Sequence, residues 1–474
     1  MNAPVVVIGA TADALVAAHA LARGGRRVVV LDEHHDDAPD DGGWIPPRVV
    51  RDLGLAERGL QIERADPWAV APLPDGGRLE LWHNPARSAA SIRRLSARDA
   101  EKWPAFCALM ARLARVLEPL YATPPPDPLA RGAGDLARLA LAGLRVRALG
   151  RRGMTDLLRL APTSVADFLD DWFESDALKG VLAAGGVMYL HQGPRSGGTA
   201  FALLHRHVGS PPGVFRPARS NLVRVLRERP GIEIRTGVRV ERIRVRDGRA
   251  CGVVLAGGEE IAAALVVSGA DPRRTLLDLV EPGWLDPEAI RAIRSIRSRG
   301  VVAQVTLNLD RAPQPGTLVV APSLDYLERA YDDAKYRRVS QDPYLEAHAD
   351  GERRVQVHLQ YAPYSLADGE WDEACRAALG DRVVDLLAPH LGATVIERKA
   401  RSPRDLEADC GWPEGQAHHA ELALDQLLWM RPTPALARYR TPIDGLWLCG
   451  PAMHPGAGIV GAAGANAARV VSRT

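Results

Sequence analysis

Two unbroken apolar runs near the start of the chain give way to alternating apolar and polar residues in its middle, and that change of period separates two kinds of sheet. Residues 4–9, Pro-Val-Val-Val-Ile-Gly, read as a strand buried on both faces. A helical pattern follows to about Arg23 and stops at Gly24-Gly25. Arg27 to Leu31 is a second buried run ending at Asp32, which completes a βαβ unit of about 30 residues.

Farther on, 96–210 is helical in pattern, broken by Pro124-Pro125-Pro126. Residues 232–268 carry short strands around the hairpin turn Asp247-Gly248, with Leu265-Val266-Val267 as a further buried strand. Residues 301–309 and 353–361 alternate like antiparallel strands, 372–390 reads as a helix, and Leu446 to Val471 as strand, Gly-rich turn and Ala-rich helix. These elements predict a two-domain α/β chain. Residues 1–95, 211–299 and 406–474 would form a discontinuous Rossmann-like dinucleotide-binding domain. Residues 96–210 and 300–405 would form an α+β substrate domain of antiparallel sheet and helices.

Composition narrows the class. Apolar residues are 46% and charged residues 25% of 474, ordinary for a globular chain. The net charge of +2 provides no field for nucleic acid, and 56 Arg against 4 Lys reads as compositional bias. Five scattered cysteines contain no Cys-x-x-Cys, which suits a reducing compartment. The chain opens without a basic leader and has no apolar run of about 18 residues, so a cytoplasmic location is expected. Homo- or hetero-oligomeric assembly stays open.

The turn after the first strand carries the candidate chemistry. A dinucleotide fingerprint has Gly-x-Gly-x-x-Gly here; this chain has Gly9-Ala10-Thr11-Ala12-Asp13-Ala14. Gly9 permits the tight turn, Thr11 sets a branched side chain where pyrophosphate usually meets bare backbone, and Ala14 keeps close helix–strand packing. Asp32, ending the second strand, is the carboxylate expected to accept hydrogen bonds from a ribose. Asp13 opposes phosphate binding: it can cap the helix's free N–H groups itself. At about 5 Å from a phosphate it would repel it by roughly 3 kcal/mol at an effective dielectric near 20. The acidic run from Asp32 to Asp41 reads as a solvated loop.

The C-terminal stretch is more specific. It reads Glu421-Leu-Ala-Leu-Asp-Gln-Leu-Leu-Trp-Met-Arg431-Pro, then Tyr439-Arg-Thr-Pro-Ile-Asp-Gly-Leu-Trp-Leu-Cys-Gly450, then His454-Pro-Gly-Ala-Gly-Ile-Val-Gly-Ala-Ala-Gly. With Gly198-Thr199-Ala200 and the segment Ile234 to Pro272, it resembles the phytoene desaturase-like branch of the amine-oxidase-type flavoproteins, in particular the pyridine nucleotide-disulfide oxidoreductase domain-containing proteins. The resemblance implies FAD extended between the two ends of the chain. Gly9, Thr11 and Ala14 would face the pyrophosphate, Asp32 the adenosine ribose and Val240 the adenine edge. Gly450, Gly458 and Ile459 would border the ribityl chain and the flavin ring, with a helix starting near Ile459 aimed at a ring oxygen. The chain departs from the family pattern at the fingerprint, at Pro451-Ala452-Met453 and at Gly213 to Asn221, all of them places where the family touches its flavin.

Among other side chains, His454 beside the implied flavin is a candidate proton shuttle, or a residue that shapes the turn. His191, His205 and His207 lack the carboxylate partners of a metal site, so no metal is expected. Asp425 and Arg431 read as a structural pair, or Arg431 as a pocket residue. The basic, amphipathic stretch 136–149 reads as a packed surface helix or as a peripheral membrane contact admitting a lipophilic substrate. The function expected is FAD-dependent dehydrogenation or desaturation of a largely apolar small molecule by hydride transfer. The alternative is a member with a decayed flavin site, acting as a non-catalytic partner or scaffold subunit.

Overall fold

The computed structural model describes residues 3–34, 42–129, 132–314, 316–349, 352–456 and 458–473. Most of the acidic run, residues 35–41, lies outside the described residues. The βαβ unit forms as its pattern predicts: strand Val5–Ile8, helix Ala12–Arg23, strand Val28–Asp32. Every residue of both strands is buried, which is why their apolar runs are unbroken.

These strands lie inside a five-stranded parallel sheet ordered Leu446–Leu448, Leu265–Ser268, Val5–Ile8, Val28–Asp32, Glu233–Thr236. The register aligns Ile8 with Ser268 and Ser268 with Leu448, so three strands end together. Gly9, Gly269 and Gly450 follow them. A Cβ on Gly450 would stand 2.2 Å from the Gly269 carbonyl, and one on Gly269 2.7 Å from the Ala14 Cβ. Only glycines let these chain segments approach so closely. Ligands of open α/β sheets sit outside such carboxyl ends.

The second sheet has seven strands, ordered Val395–Arg401, Val302–Leu309, Arg354–Gln360, Tyr344–Ala349, Thr317–Val320, Ala69–Pro72, Arg78–Leu81. The hairpin 69–81 joins it through a parallel Val70–Leu318 pairing. The boundary expected at residue 95 is therefore displaced, since part of 1–95 belongs to the second sheet. One face of that sheet buries Val305, Leu345, Val357 and Leu359 under the helix Glu373–Leu391. The other face carries Gln304, Glu346, His358 and Gln360, all buried, toward the helices Asp176–Val187 and Thr199–His207. Alternation along each strand sets this split, with an apolar core on one side and a polar layer on the side facing the nucleotide-type domain.

The helix Ala133–Ala148 has no buried residue; Leu136, Leu141 and Leu144 are about half exposed or more. No helix among the described residues is long and apolar enough to cross a membrane.

Candidate functional site

A cleft of about 770 Å³ starts at the turn Ala10–Asp13. It passes Arg224, Arg227 and Thr236 on one side, and reaches Trp412, His418, His419, Pro451, Gly456 and Gly458–Val460. It runs along the carboxyl ends of the parallel strands and ends against the C-terminal loop. Gly43 closes its wall. The Gly43 N–H donates to the Ala218 carbonyl at 2.8 Å, and Trp44 donates to the Gly458 carbonyl at 2.8 Å and accepts from the Val460 N–H at 2.9 Å. A Cβ on Gly43 would meet Val460 at 2.5 Å.

Thr11 lines the cleft, and its hydroxyl caps the helix by accepting from the Ala14 N–H at 3.3 Å. The amides of Ala12 and Asp13 open the helix, where no intrahelical carbonyl can reach them. Gly9 makes the tight turn at φ 83°, and Ala14, fully buried, packs against Gly269. Neither lines the cleft, so of the three fingerprint residues expected at a pyrophosphate only Thr11 does.

Asp13 behaves otherwise than its position suggests. Its Oδ1 accepts from the Gly464 N–H at 3.2 Å, so the carboxylate caps the C-terminal helix Ala462–Val471 rather than its own. Burial pushes its carboxyl up to about 7, against the lowering effect of the Gly464, Ala463 and Gly461 amides. The phosphate repulsion expected of it is weakened, because the carboxyl is turned to the last helix and burial raises it toward neutral pH. The same contact overturns the expectation that the last helix donates to a flavin oxygen. That helix starts at Ala462, not near Ile459, and Asp13 occupies its N-terminus.

A test follows from the sign of the shift. A carboxyl raised in the folded state stabilises the fold fully below its unfolded value and loses that contribution as pH rises toward 7. Asp13→Asn, which keeps the accepting oxygen, should therefore raise Tm relative to the parent at pH 8 but hardly at pH 4. It should leave FAD affinity within about twofold. Thermal melts at the two pH values and an FAD titration check this; a pH-independent difference in Tm would contradict the placement.

Asp32 is also engaged. The Arg227 Nη2 donates to its carboxylate at 2.7 Å, both side chains being largely buried. Arg227, not Asp32, lines the cleft. Val240 is buried in the three-stranded meander opposite Leu255 and stands outside the cleft; Ile234 and Thr236 reach it from the preceding strand. Gly450 packs on Gly269, whereas Gly458 and Ile459 do line the cleft.

His454 does not. It is 1% exposed, with Nε2 at 3.0 Å from the Leu120 carbonyl, and burial pushes its pKa down to about 4. The proton-shuttle expectation is corrected: this ring shapes the turn against the helix Ala97–Tyr121. Asp425 pairs with Arg297 rather than Arg431. His205 Nδ1 meets the Tyr121 hydroxyl at 2.8 Å, and His207 Nδ1 donates to the Val214 carbonyl at 2.7 Å.

The cleft's histidines are ones that sequence reasoning missed. His418 and His419 are 8% and 4% exposed; Nδ1 of the first and both ring nitrogens of the second are buried without a hydrogen-bond partner. Burial, and then the Arg431 charge, lower the pKa of His419 to about 4; burial and neighbouring cations hold His418 well below the ordinary range. Both rings are neutral, and unpartnered buried nitrogens on a cleft wall call for a ligand. The signal available was the adjacent His-His pair just before the family-like stretch at 421.

Gln416 and Arg431 fix this segment. The Gln416 amide donates to the Tyr189 and Arg299 carbonyls at 2.8 and 3.1 Å. Arg431, fully buried, donates to the carbonyls of His418, Ala420, Glu421, Gln426, Pro451 and Met453 over 3.0–3.4 Å. Burial lowers its pKa to about 10, so it stays a cation at neutral pH. Gly456 lies directly over it, leaving no room for a Cβ, which would stand 2.7 Å from Nε.

A second cleft, about 1080 Å³, lies beyond Gly43 and Trp44. Its apolar walls are Trp44, Ile45, Ile62, Trp68, Val208 and Val214. Between the two clefts sits a cavity of about 20 Å³ that shares Gly458 and His418 with the first and Arg206 and Pro217 with the second.

Comparison with known proteins agrees with this geometry. The sequence profile described as flavin containing amine oxidoreductase matches residues 49–472. The pyridine nucleotide-disulfide oxidoreductase domain-containing protein 2 of Rattus norvegicus is 31% identical, over 99% of this chain and 93% of its own. Hydroxyneurosporene desaturase of Rubrivivax gelatinosus is 27% identical over 96% and 90%. A putrescine oxidase variant shares the fold at TM-score 0.60, with 15% identity and full coverage of both chains.

Proposed function

This chain belongs to the flavin containing amine oxidoreductase family, and from that premise we propose that it takes a hydride from a carbon of a small, largely apolar substrate lying in the second cleft. As a member it is an FAD-dependent oxidoreductase. The residues present fit the cofactor: a long cleft at the carboxyl ends of the parallel strands, a helix N-terminus freed of its acidic side chain, and unpartnered histidine nitrogens at the far end. Bound FAD supplies the hydride acceptor.

The protein's own contribution is position and electrostatics. Thr11 and the first-turn amides would receive the diphosphate, with Arg227 braced by Asp32 farther along the cleft. The Gly456 to Ile459 backbone, His418 and His419 would border the ring. Arg431, ionised beneath this segment, favours negative charge developing there. Trp44, Ile45, Trp68 and Val214 would hold an apolar body and exclude water. Among the described residues no side chain in the cleft stands as an obligatory base.

The observation that carries the substrate reading is the apolar wall of the 1080 Å³ cleft, joined to the cofactor cleft through Gly458 and His418. The test is anaerobic mixing of FAD-loaded protein with a panel of apolar-bodied compounds and short polar amines, following absorbance at about 450 nm. Bleaching by apolar-bodied members is expected. Bleaching by amines such as putrescine alone would overturn the reading.

The exposed leucines of 136–149, beside Arg145, Arg147 and Arg151, support a peripheral membrane contact that admits such a substrate. Phosphatidylglycerol vesicles should sediment the protein, phosphatidylcholine vesicles much less so, and Leu141→Glu/Leu144→Glu should abolish sedimentation. Equal sedimentation of parent and variant would contradict the assignment.

A further inference from the structure

The passage between the two clefts is charged. Tyr189, Arg206 and Pro217 line both the 20 Å³ cavity beside His418 and Gly458 and a neighbouring 10 Å³ cavity reaching Glu346, His348 and His358. Arg206 and His348 also line the open 1080 Å³ cleft. Arg206 therefore stands where the substrate cleft narrows toward the redox end.

Its charge is offset only in part, by Glu346 acting on it without an ion-pair contact. Glu346 is the buried carboxylate nearby, and its oxygens are already engaged: Arg216 Nε at 3.0 Å, the Tyr344 hydroxyl at 2.5 Å and His348 Nε2 at 3.1 Å. Arg216 and Glu346 are both nearly inaccessible, so this pair is internally neutral. Among the described residues Arg206 has no carboxylate at ion-pair distance, and its Nε is buried without a hydrogen-bond partner. Arg216, 5% exposed and lining the same cleft, leaves its Nη2 unpartnered as well. His358 and His418 are held neutral by burial and neighbouring cations, so they neither add to the positive charge nor cancel it.

A half-buried guanidinium with an unpartnered Nε and no ion-pair contact suits an anionic ligand, which it could meet with charge-assisted hydrogen bonds. The guanidinium is also held in place. It lies 5.7 Å from the Tyr189 ring, and its helix is pinned on either side by the His205–Tyr121 and His207–Val214 hydrogen bonds. The apolar walls and this cation at the narrow end suit a molecule with an apolar body and an anionic group.

We infer that the substrate is an apolar-bodied carboxylic acid, or a close anionic equivalent, whose charged group is bound by Arg206 at the neck between the clefts. The inference rests on the reading of the second cleft as the substrate's place, and it names the substrate's class.

Octanoate, octanamide and octylamine serve as probes, titrated into the FAD-loaded protein by calorimetry and by perturbation of the flavin spectrum. Octanoate should bind at least about tenfold more tightly than octanamide, and octylamine most weakly. Arg206→Ala should erase the preference for octanoate over octanamide and leave flavin content unchanged, because Arg206 does not line the cofactor cleft. Arg206→Lys should retain part of the preference. Equal binding of octanoate and octanamide, preference for octylamine, no measurable octanoate binding, or an unaltered preference in Arg206→Ala would each overturn the inference. The two readings fail separately. Protein that takes up no FAD but binds octanoate through Arg206 refutes the redox reading alone. FAD-loaded protein bleached by apolar compounds but indifferent to charge refutes the anion site alone.

Discussion

Replacing Arg431 with methionine is expected to destabilise the folded protein severely. The guanidinium donates to six buried carbonyls, drawn from residues 418–426 on one side and Pro451 and Met453 on the other. Methionine fills much of the volume and satisfies none of them. At about 1 kcal/mol or more for each acceptor left unpaired, the loss is on the order of 5 kcal/mol, comparable with the net stability of an ordinary domain. Tm should fall by on the order of 5 °C, and the flavin should be lost with it, because this residue ties the histidine-bearing segment to the C-terminal loop. Arg431→Lys, which keeps the charge but not the planar fork, should recover only part. A melt of Arg431→Met within a degree or two of the parent would refute this account of the loop.

The second large effect concerns Gly458. Its φ is 80°, and a Cβ there would meet nothing within 4 Å, since the position faces open cleft. Gly458→Phe would project a ring into the space assigned to FAD, at a backbone strain of about 1–2 kcal/mol. FAD affinity should fall by at least about 100-fold while the protein stays folded, because the Gly458 carbonyl keeps its bond from Trp44. Gly458→Ala carries the same strain without the ring, and its affinity should stay close to that of the parent. Stoichiometric FAD in Gly458→Phe would remove Gly458 from the cofactor's path.

Much of the architecture was legible because it is written in local periods. The two fully buried strands at 5–8 and 28–32 show as unbroken valine-rich runs, and the strands Val302–Leu309 and Arg354–Gln360 show as alternation. The site was legible in part. Thr11, Gly458 and Ile459 line the cleft, and the C-terminal motif marks the cofactor's family. What escaped depends on partners far along the chain. Asp13 reads locally as an obstacle to phosphate. Its partner, Gly464, is 451 residues away, and no local pattern reveals that the carboxylate serves another helix. The hairpin 69–81 sits in the second sheet through one backbone pairing, Val70 with Leu318. Arg206 lies on a helix whose polar and apolar spacing gives no sign of a site, and its want of an ion-pair contact emerges only when Glu346 is seen committed to Arg216, Tyr344 and His348.

The cleft opening at Thr11 should hold FAD despite Asp13 in the first turn of the helix beside it. The direct measurement is the visible spectrum of the purified protein, before and after incubation with FAD and removal of the excess. The account predicts a flavin band at about 450 nm corresponding to one FAD per chain. A folded protein that stays colourless after incubation would contradict it.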